Sequence, residues 1–268
     1  MRTVRAILGR EVKSYFFSPA AYVVLTGFIA LSGWLFYQAL ERFIRLTTYL
    51  EGYKVGGQIV REWTLEDDII IPLYRNLSML LVIMVPAITM RLFAEEKKLK
   101  TTELLLTSPI RLLHIVLGKY LAAMVLITVM LLPVALFPAL VVYYAAPEAD
   151  AGTMLVGYLG LFLAAYALAA IGLFASTLTE NQIVAFILGV VLELAFFSIG
   201  LAAPSLGVVQ VLEWRLPLGQ LVGYLSLGNH FNSMTTGLFR LSDAFYFLCL
   251  IVFWLAAANQ SVESARWG

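Results

Sequence analysis

Residues 112–144 carry a single formally charged side chain, Lys119. A helix crossing a bilayer needs about 20 mostly apolar residues in succession. Five further runs have the same character: 20–40, 72–92, 154–178, 183–203 and 245–258. The run at 112–144 is longer than a straight crossing needs. It contains Pro133 and Pro138, which predicts a kink or a break. The run at 245–258 is short, about 21 Å of helix, and must borrow residues on both sides, past Asn259 and Gln260. Composition excludes a soluble globule: 61% of the chain is hydrophobic and 13% charged, where soluble chains carry about 25%. The expected fold is therefore all-α, a polytopic membrane protein with six transmembrane helices.

Six spans place both termini on one side. If that side is the cytoplasm, the inner segments hold eleven of the 18 Lys and Arg residues and the outer ones seven. The positive-inside rule favours this orientation, although Arg42 and Arg45 directly after the first span argue against it. Net charge is +1, so nothing points to nucleic acid. Cys249 is the one cysteine and excludes an intramolecular disulfide. Residues 1–13 are too polar for a cleavable signal, and no small-residue site follows the first apolar run.

Residues 1–19 read as a cytoplasmic amphipathic interfacial helix. Val4, Leu8, Val12 and Tyr15 fall on one face, with Arg2, Arg5, Arg10 and Lys13 around the other. Such a helix lies in the headgroup layer, basic side to the phosphates, and Ser18-Pro19 ends it. Residues 20–268 form the span domain. Its first outer segment, 41–71, carries an acidic cluster of Glu62, Glu66, Asp67 and Asp68, read as a solvated face because no histidine is near. The second, 204–243, is too apolar for a free loop and too interrupted for a span. It is expected to form short helices at the outer leaflet.

From Pro86 the chain reads PAITMRLFAEEKKLKTTELLLTSPIRLLHIVLGKYLAA. A span ends near Arg91, a charged turn follows at Glu95-Glu96-Lys97-Lys98, and a short amphipathic helix stops at Ser108-Pro109. A bare connection takes about 2–8 residues; this one is more than twice as long, and the excess asks for a partner surface. Here the sequence resembles the permease subunits of ABC-2 type transporters, in particular the gliding-motility-type branch. That branch shows a similar Pro-Ala-x-Thr-Met-Arg, Ala-Glu-Glu, Thr-x-Glu-Leu-Leu-Leu-Thr-x-Pro and Gly-Lys run in this position. LTENQIVAF at 178–186 and HFNSMTTGLFRLSDAFYF at 230–247 extend the likeness. One departure is Thr101-Thr102, where the family usually has Gly-Thr.

The resemblance implies an ATP-driven export or conformational machine in a bacterial-type cytoplasmic membrane. Two permease chains, identical or related, would form the transmembrane unit, with an extracytoplasmic subunit as a further partner. Each would dock on an ABC ATPase subunit through a coupling helix at about 94–109. Glu95, Glu96, Thr102, Glu103, Leu104, Leu105, Leu106 and Pro109 would carry that contact. The alternative is a membrane subunit that transmits the ATPase stroke to an extracytoplasmic partner without a transported substrate.

The chain is not expected to be an enzyme. A P-loop needs Gly-x-x-x-x-Gly-Lys-Ser/Thr. The nearest string, Gly118-Lys119-Tyr120, has Leu113 in place of the first glycine and Tyr120 in place of the hydroxyl residue. ATP and Mg would sit on the partner ATPase, with no cofactor on this chain. The two histidines, His114 and His230, are far apart, so they read as interfacial hydrogen-bonding residues and no metal site is expected. Lys119 reads as a snorkelling lysine near the cytoplasmic end of its span. Glu193 sits mid-span in the fifth run. A carboxylate there faces the protein interior, pairs, or is protonated. It reads either as a functional polar element, in a substrate path or dimer switch, or as packing glue hydrogen-bonded to a neighbouring helix.

Overall fold

A computed structural model of the chain describes residues 2–51, 64–100, 111–145, 150–206, 209–211 and 214–264. Among the described residues six helical segments are long and apolar enough to cross a membrane: Pro19–Thr48, Glu66–Lys98, Leu112–Ala145, Ala151–Thr177, Gln182–Leu206 and Leu241–Ser264. The protein is an all-α, multi-pass membrane protein.

Helix α1, Arg2–Phe17, ends at Ser18, and α2, Pro19–Glu51, begins on a proline, whose missing N–H costs nothing at a first helical position. α2 runs further than its apolar stretch. Part of the expected outer segment, from Glu41 to Glu51, is helix, and Arg45 pairs with Glu41 one turn earlier, the spacing that supports an exposed helix. A π-helical turn, Glu66–Ile70, leads into α3, Ile71–Thr89, which bends at Met90 into α4, Arg91–Lys98. α5 spans Leu112–Leu131 and α6 Leu136–Ala145. Between them Pro133 lies in a 3-10 turn, Leu132–Ala135, so the span kinks without breaking. Asp150 caps α7, Ala151–Thr177, by accepting from the Gly152 N–H at 2.9 Å and the Thr153 hydroxyl at 2.7 Å.

Asn181 caps α8, Gln182–Ser198, which continues through a 3-10 turn into the short α9, Ala203–Leu206. Next comes an antiparallel hairpin, β1 Val209–Val211 with β2 Trp214–Leu216, Val209 opposite Leu216. Short helices were expected throughout 204–243. The β-branched and aromatic residues at 209, 211 and 214 favour a strand pair instead. Helices α10, Leu218–Leu225, and α11, Leu227–Thr235, follow as expected. The last span, α12 Leu241–Ser264, takes in Asn259 and Gln260 as the short apolar run required.

α7 is the hub, packed against α3, α5, α8, α11 and α12. Between Ala164 and Leu173 its residues are buried apart from Tyr166. Lipid gives apolar helices no reason to associate by hydrophobicity, so close backbone approach over small residues supplies the attraction. Tyrosines tie the crossings: Tyr74 donates to the Met154 carbonyl at 3.0 Å, Tyr120 to that of Tyr166 at 3.0 Å, and Tyr158 to that of Leu131 at 2.9 Å. α11 is not a free surface helix; Leu227, Phe231 and Met234 are buried, and it packs on α7. α2, α8 and α12 instead turn rows of large apolar residues outward, among them Val23, Ile29, Ile187, Val191, Leu248 and Val252.

Candidate functional site

The end of the bundle that carries α1 holds a cluster of paired ions around the buried Lys119. α4 has the sequence RLFAEEKK. Leu92, Phe93 and Ala94 turn into the core, while the charged residues line the other side. Lys97 and Lys98 suit the negative end of the helix, and Lys97 Nζ donates to the Thr177 carbonyl at 2.5 Å, closing the end of α7. The helix stops at Leu99, and Lys100 takes a left-handed φ of 54°.

α1 lies along α5 rather than apart from the bundle. The two backbones meet at Gly118, where a Cβ would stand 2.7 Å from Ile7 Cγ2. That approach brings Lys119, only 1% exposed, under both α1 and α4. Its Nζ lies 3.2 Å from Glu11 Oε1 and 2.9 Å from Glu96 Oε1. Arg10 closes the ring at 2.7 Å to Glu11 and 2.8 Å to Glu96. Two cations and two anions thus alternate across three helices, with Lys119 Nζ 5.2 Å from the Phe93 ring centroid.

Lys119 is a correction to the snorkelling expectation: it does not reach water but is held by two carboxylates. Isolated, such an ion would be very costly to bury. Burial also works against the charge of Glu11, but Lys119 and Arg10 more than offset it, and the carboxyl sits below its ordinary value. The hydrogen bond from Arg10 to Glu11, against desolvation, raises the guanidinium's affinity for its proton. Beside the ring, Tyr15 is buried, which raises its phenol above the usual range. It donates to the Ile88 carbonyl at 3.1 Å. Arg91 lies 4.4 Å over the Tyr15 ring and donates to Ser18 Oγ at 2.8 Å. A cleft of about 220 Å³ opens between α1 and α4, with Arg10, Glu11, Glu95, Glu96 and Lys119 in its walls.

The family model for the ABC-2 family transporter protein matches residues 9–259. The chain belongs to that family. The match takes in the second half of α1 and all but the last residues of α12, so the ion ring, the first five spans and most of the sixth fall within it. The comparison with curated proteins found no match. ABC-2 family permeases are membrane components without catalytic activity of their own.

In this ABC-2 family chain the residues singled out from sequence fall in three places. Glu95 is exposed at the cleft mouth, and Glu96 is half-buried inside the ring. Thr102, Glu103, Leu104, Leu105, Leu106 and Pro109 lie outside the described residues, as does Glu62 of the acidic cluster. Glu66 accepts from the Asp150 N–H at 2.6 Å, tying the start of the second span to the α7 cap. Glu193 is fully buried on the α8 face formed with Ala185, Gly189 and Phe197. It sits beside Gly172 of α7, where a Cβ would stand 3.0 Å from Glu193 Oε1 and 2.2 Å from Thr89 Oγ1. Among the described residues neither carboxyl oxygen has a hydrogen-bond partner, and the Thr89 hydroxyl is spent on the Val85 carbonyl at 3.1 Å. The hydrogen bond that packing glue would make is not formed among the described residues. Nor is any group of three metal-ligating side chains assembled there.

Sequence reasoning missed Glu11 and Tyr15 as site residues. One signal for Glu11 was available: it is an acid lying between Leu8 and Tyr15 on the apolar stripe of α1. An acid in that stripe needs a buried cation opposite.

Proposed function

We propose that this chain is the permease subunit of an exporter, of the gliding-motility type by its motifs, driven by ATP hydrolysis on a separate ABC ATPase. The α1 end faces the cytoplasm of a bacterial-type inner membrane. α4 and the residues following it to Pro109 dock on the ATPase, which holds ATP and Mg. A second permease chain, identical or related, completes the transmembrane unit. ATPase closure moves α4, and the pairs of Glu96 with Arg10 and Lys119 carry the displacement into α1 and α5.

The observation that supports this reading best is the ion ring. A docking element must pass load to the spans, and α4 is joined by charge-assisted contacts to α1 and α5 and through Lys97 to α7. The test is co-expression with the ATPase of a neighbouring reading frame. Glu95→Arg and Glu103→Arg should lower ATPase co-purification by about tenfold, the scale of one lost interface anchor, while membrane insertion persists. Glu96 is unsuitable for this purpose because it also holds Lys119. Undiminished capture and coupling in both variants would overturn the docking assignment.

A further inference from the structure

The opposite end of the bundle carries a larger cleft, about 930 Å³, between α10, α11 and the start of α12. That volume lies within the range of small-molecule sites, about 300–1,000 Å³. Its polarity is graded. Arg240, exposed just before α12, stands at the rim, and Asp243 follows one turn on, its N–H donating to the Arg240 carbonyl at 3.0 Å. Phe245 and Cys249, both exposed, continue the wall down the span. They share the outward side of α12 with Leu241 and Leu248, in the zone where a spanning helix meets acyl chains. A groove charged at the membrane boundary and apolar along the span matches an amphiphile's own polarity.

The charged end is fixed in position. Asp243 is 4% exposed, and its Oδ1 lies 2.7 Å from His230 Nδ1. His230 is held in turn by the Tyr224 carbonyl at 3.0 Å from Nε2 and by the Tyr246 ring, stacked at 4.0 Å. Among the described residues, neither Asp243 Oδ2 nor Ser233 Oγ in the same wall has a hydrogen-bond partner. A carboxylate oxygen without a donor is satisfied by a primary ammonium; a choline headgroup has no N–H to give. Arg240 supplies the planar donor set that suits a phosphate.

We propose that this cleft binds an aminophospholipid, its phosphate on Arg240, its ammonium against Asp243 and one acyl chain along Phe245 and Cys249. The proposal requires only that α12 crosses the bilayer and is independent of the ATPase reading. The test uses the full chain in nanodiscs of phosphatidylethanolamine, phosphatidylcholine and phosphatidylglycerol in equal amounts. Each lipid in turn carries a photoreactive acyl chain, and crosslinks are mapped by mass spectrometry. The ethanolamine lipid should crosslink at Phe245–Cys249 several-fold above the other two. Arg240→Gln, at an exposed position with no effect on folding expected, should remove the excess, as should Asp243→Asn. Equal crosslinking by all three lipids, a preference for the glycerol lipid, or an excess that survives Arg240→Gln overturns the proposal. Competition by soluble glycerophosphoethanolamine overturns the lipid as the source of the headgroup.

Discussion

Lys119 and Glu193 each put an ionisable group inside an apolar helix, with opposite outcomes. Lys119 is surrounded by Glu11 and Glu96, so its charge is balanced where it lies. Glu193 is equally buried and has no partner among the described residues. A buried polar group left without a hydrogen bond costs about 1–3 kcal/mol. Glu193→Met, unbranched and similar in length, should therefore raise thermal stability in detergent by about 1 kcal/mol, at the low end of that range. Glu193→Gln should leave assembly intact. If the carboxyl serves export, both variants lose substrate-stimulated ATPase activity in the reconstituted complex. Full activity in both would reduce the position to packing. The inward direction of Glu193 was legible from sequence, because a lone acid in an apolar run turns away from lipid. The pairing of Lys119 was not, since its partners stand on α1 and α4 and Glu11 is 108 positions away.

At the scale of the element, α1 shows how much a helix's setting depends on one ion. Its apolar stripe and basic face were readable and fit a helix in the headgroup layer. Its docking on α5 depended on Gly118 and on Glu11 meeting Lys119, neither of which periodicity reveals. Glu11 also makes the docking pH-dependent. Its carboxyl is depressed in the folded protein, so the stabilisation is fully present above the ordinary value of 4.5 and is lost as pH falls through the depressed one. Spin labels at Lys13→Cys and Leu113→Cys, both exposed positions, in a Cys249→Ala background would report the α1–α5 distance. The distance should hold from neutral pH to about 4.5 and broaden below it, and Glu11→Gln should show no acid transition of this origin. An unchanged transition in Glu11→Gln would remove Glu11 as its cause.

For the whole molecule, the apolar runs fixed the number of spans and Pro133 the kink in the third. The docking of α11 on α7 escaped because it joins segments distant in the chain, whereas the hairpin and the helical tail of α2 are local and were hidden by the polar residues among which they lie. The two ends differ in kind. One holds the ion ring and the exposed Lys98 of α4; the other is closed by α10 and α11, with Asn232 and Thr236 exposed beyond the buried Phe231 and Met234. The even number of spans puts both termini at the α1 end, and the excess of basic residues there is what supports the proposal that this end faces the cytoplasm. Ser226 is a poor reporter of this topology: it is buried, donating to the Phe197 carbonyl at 3.3 Å and accepting from the Asn229 N–H at 3.3 Å. Thr236→Cys and Lys98→Cys, each in a Cys249→Ala background, are better ones. A membrane-impermeant maleimide should label Thr236→Cys in intact cells and Lys98→Cys only after permeabilisation. The reverse pattern would turn the molecule over in the membrane, and α4 would then face away from any cytoplasmic ATPase.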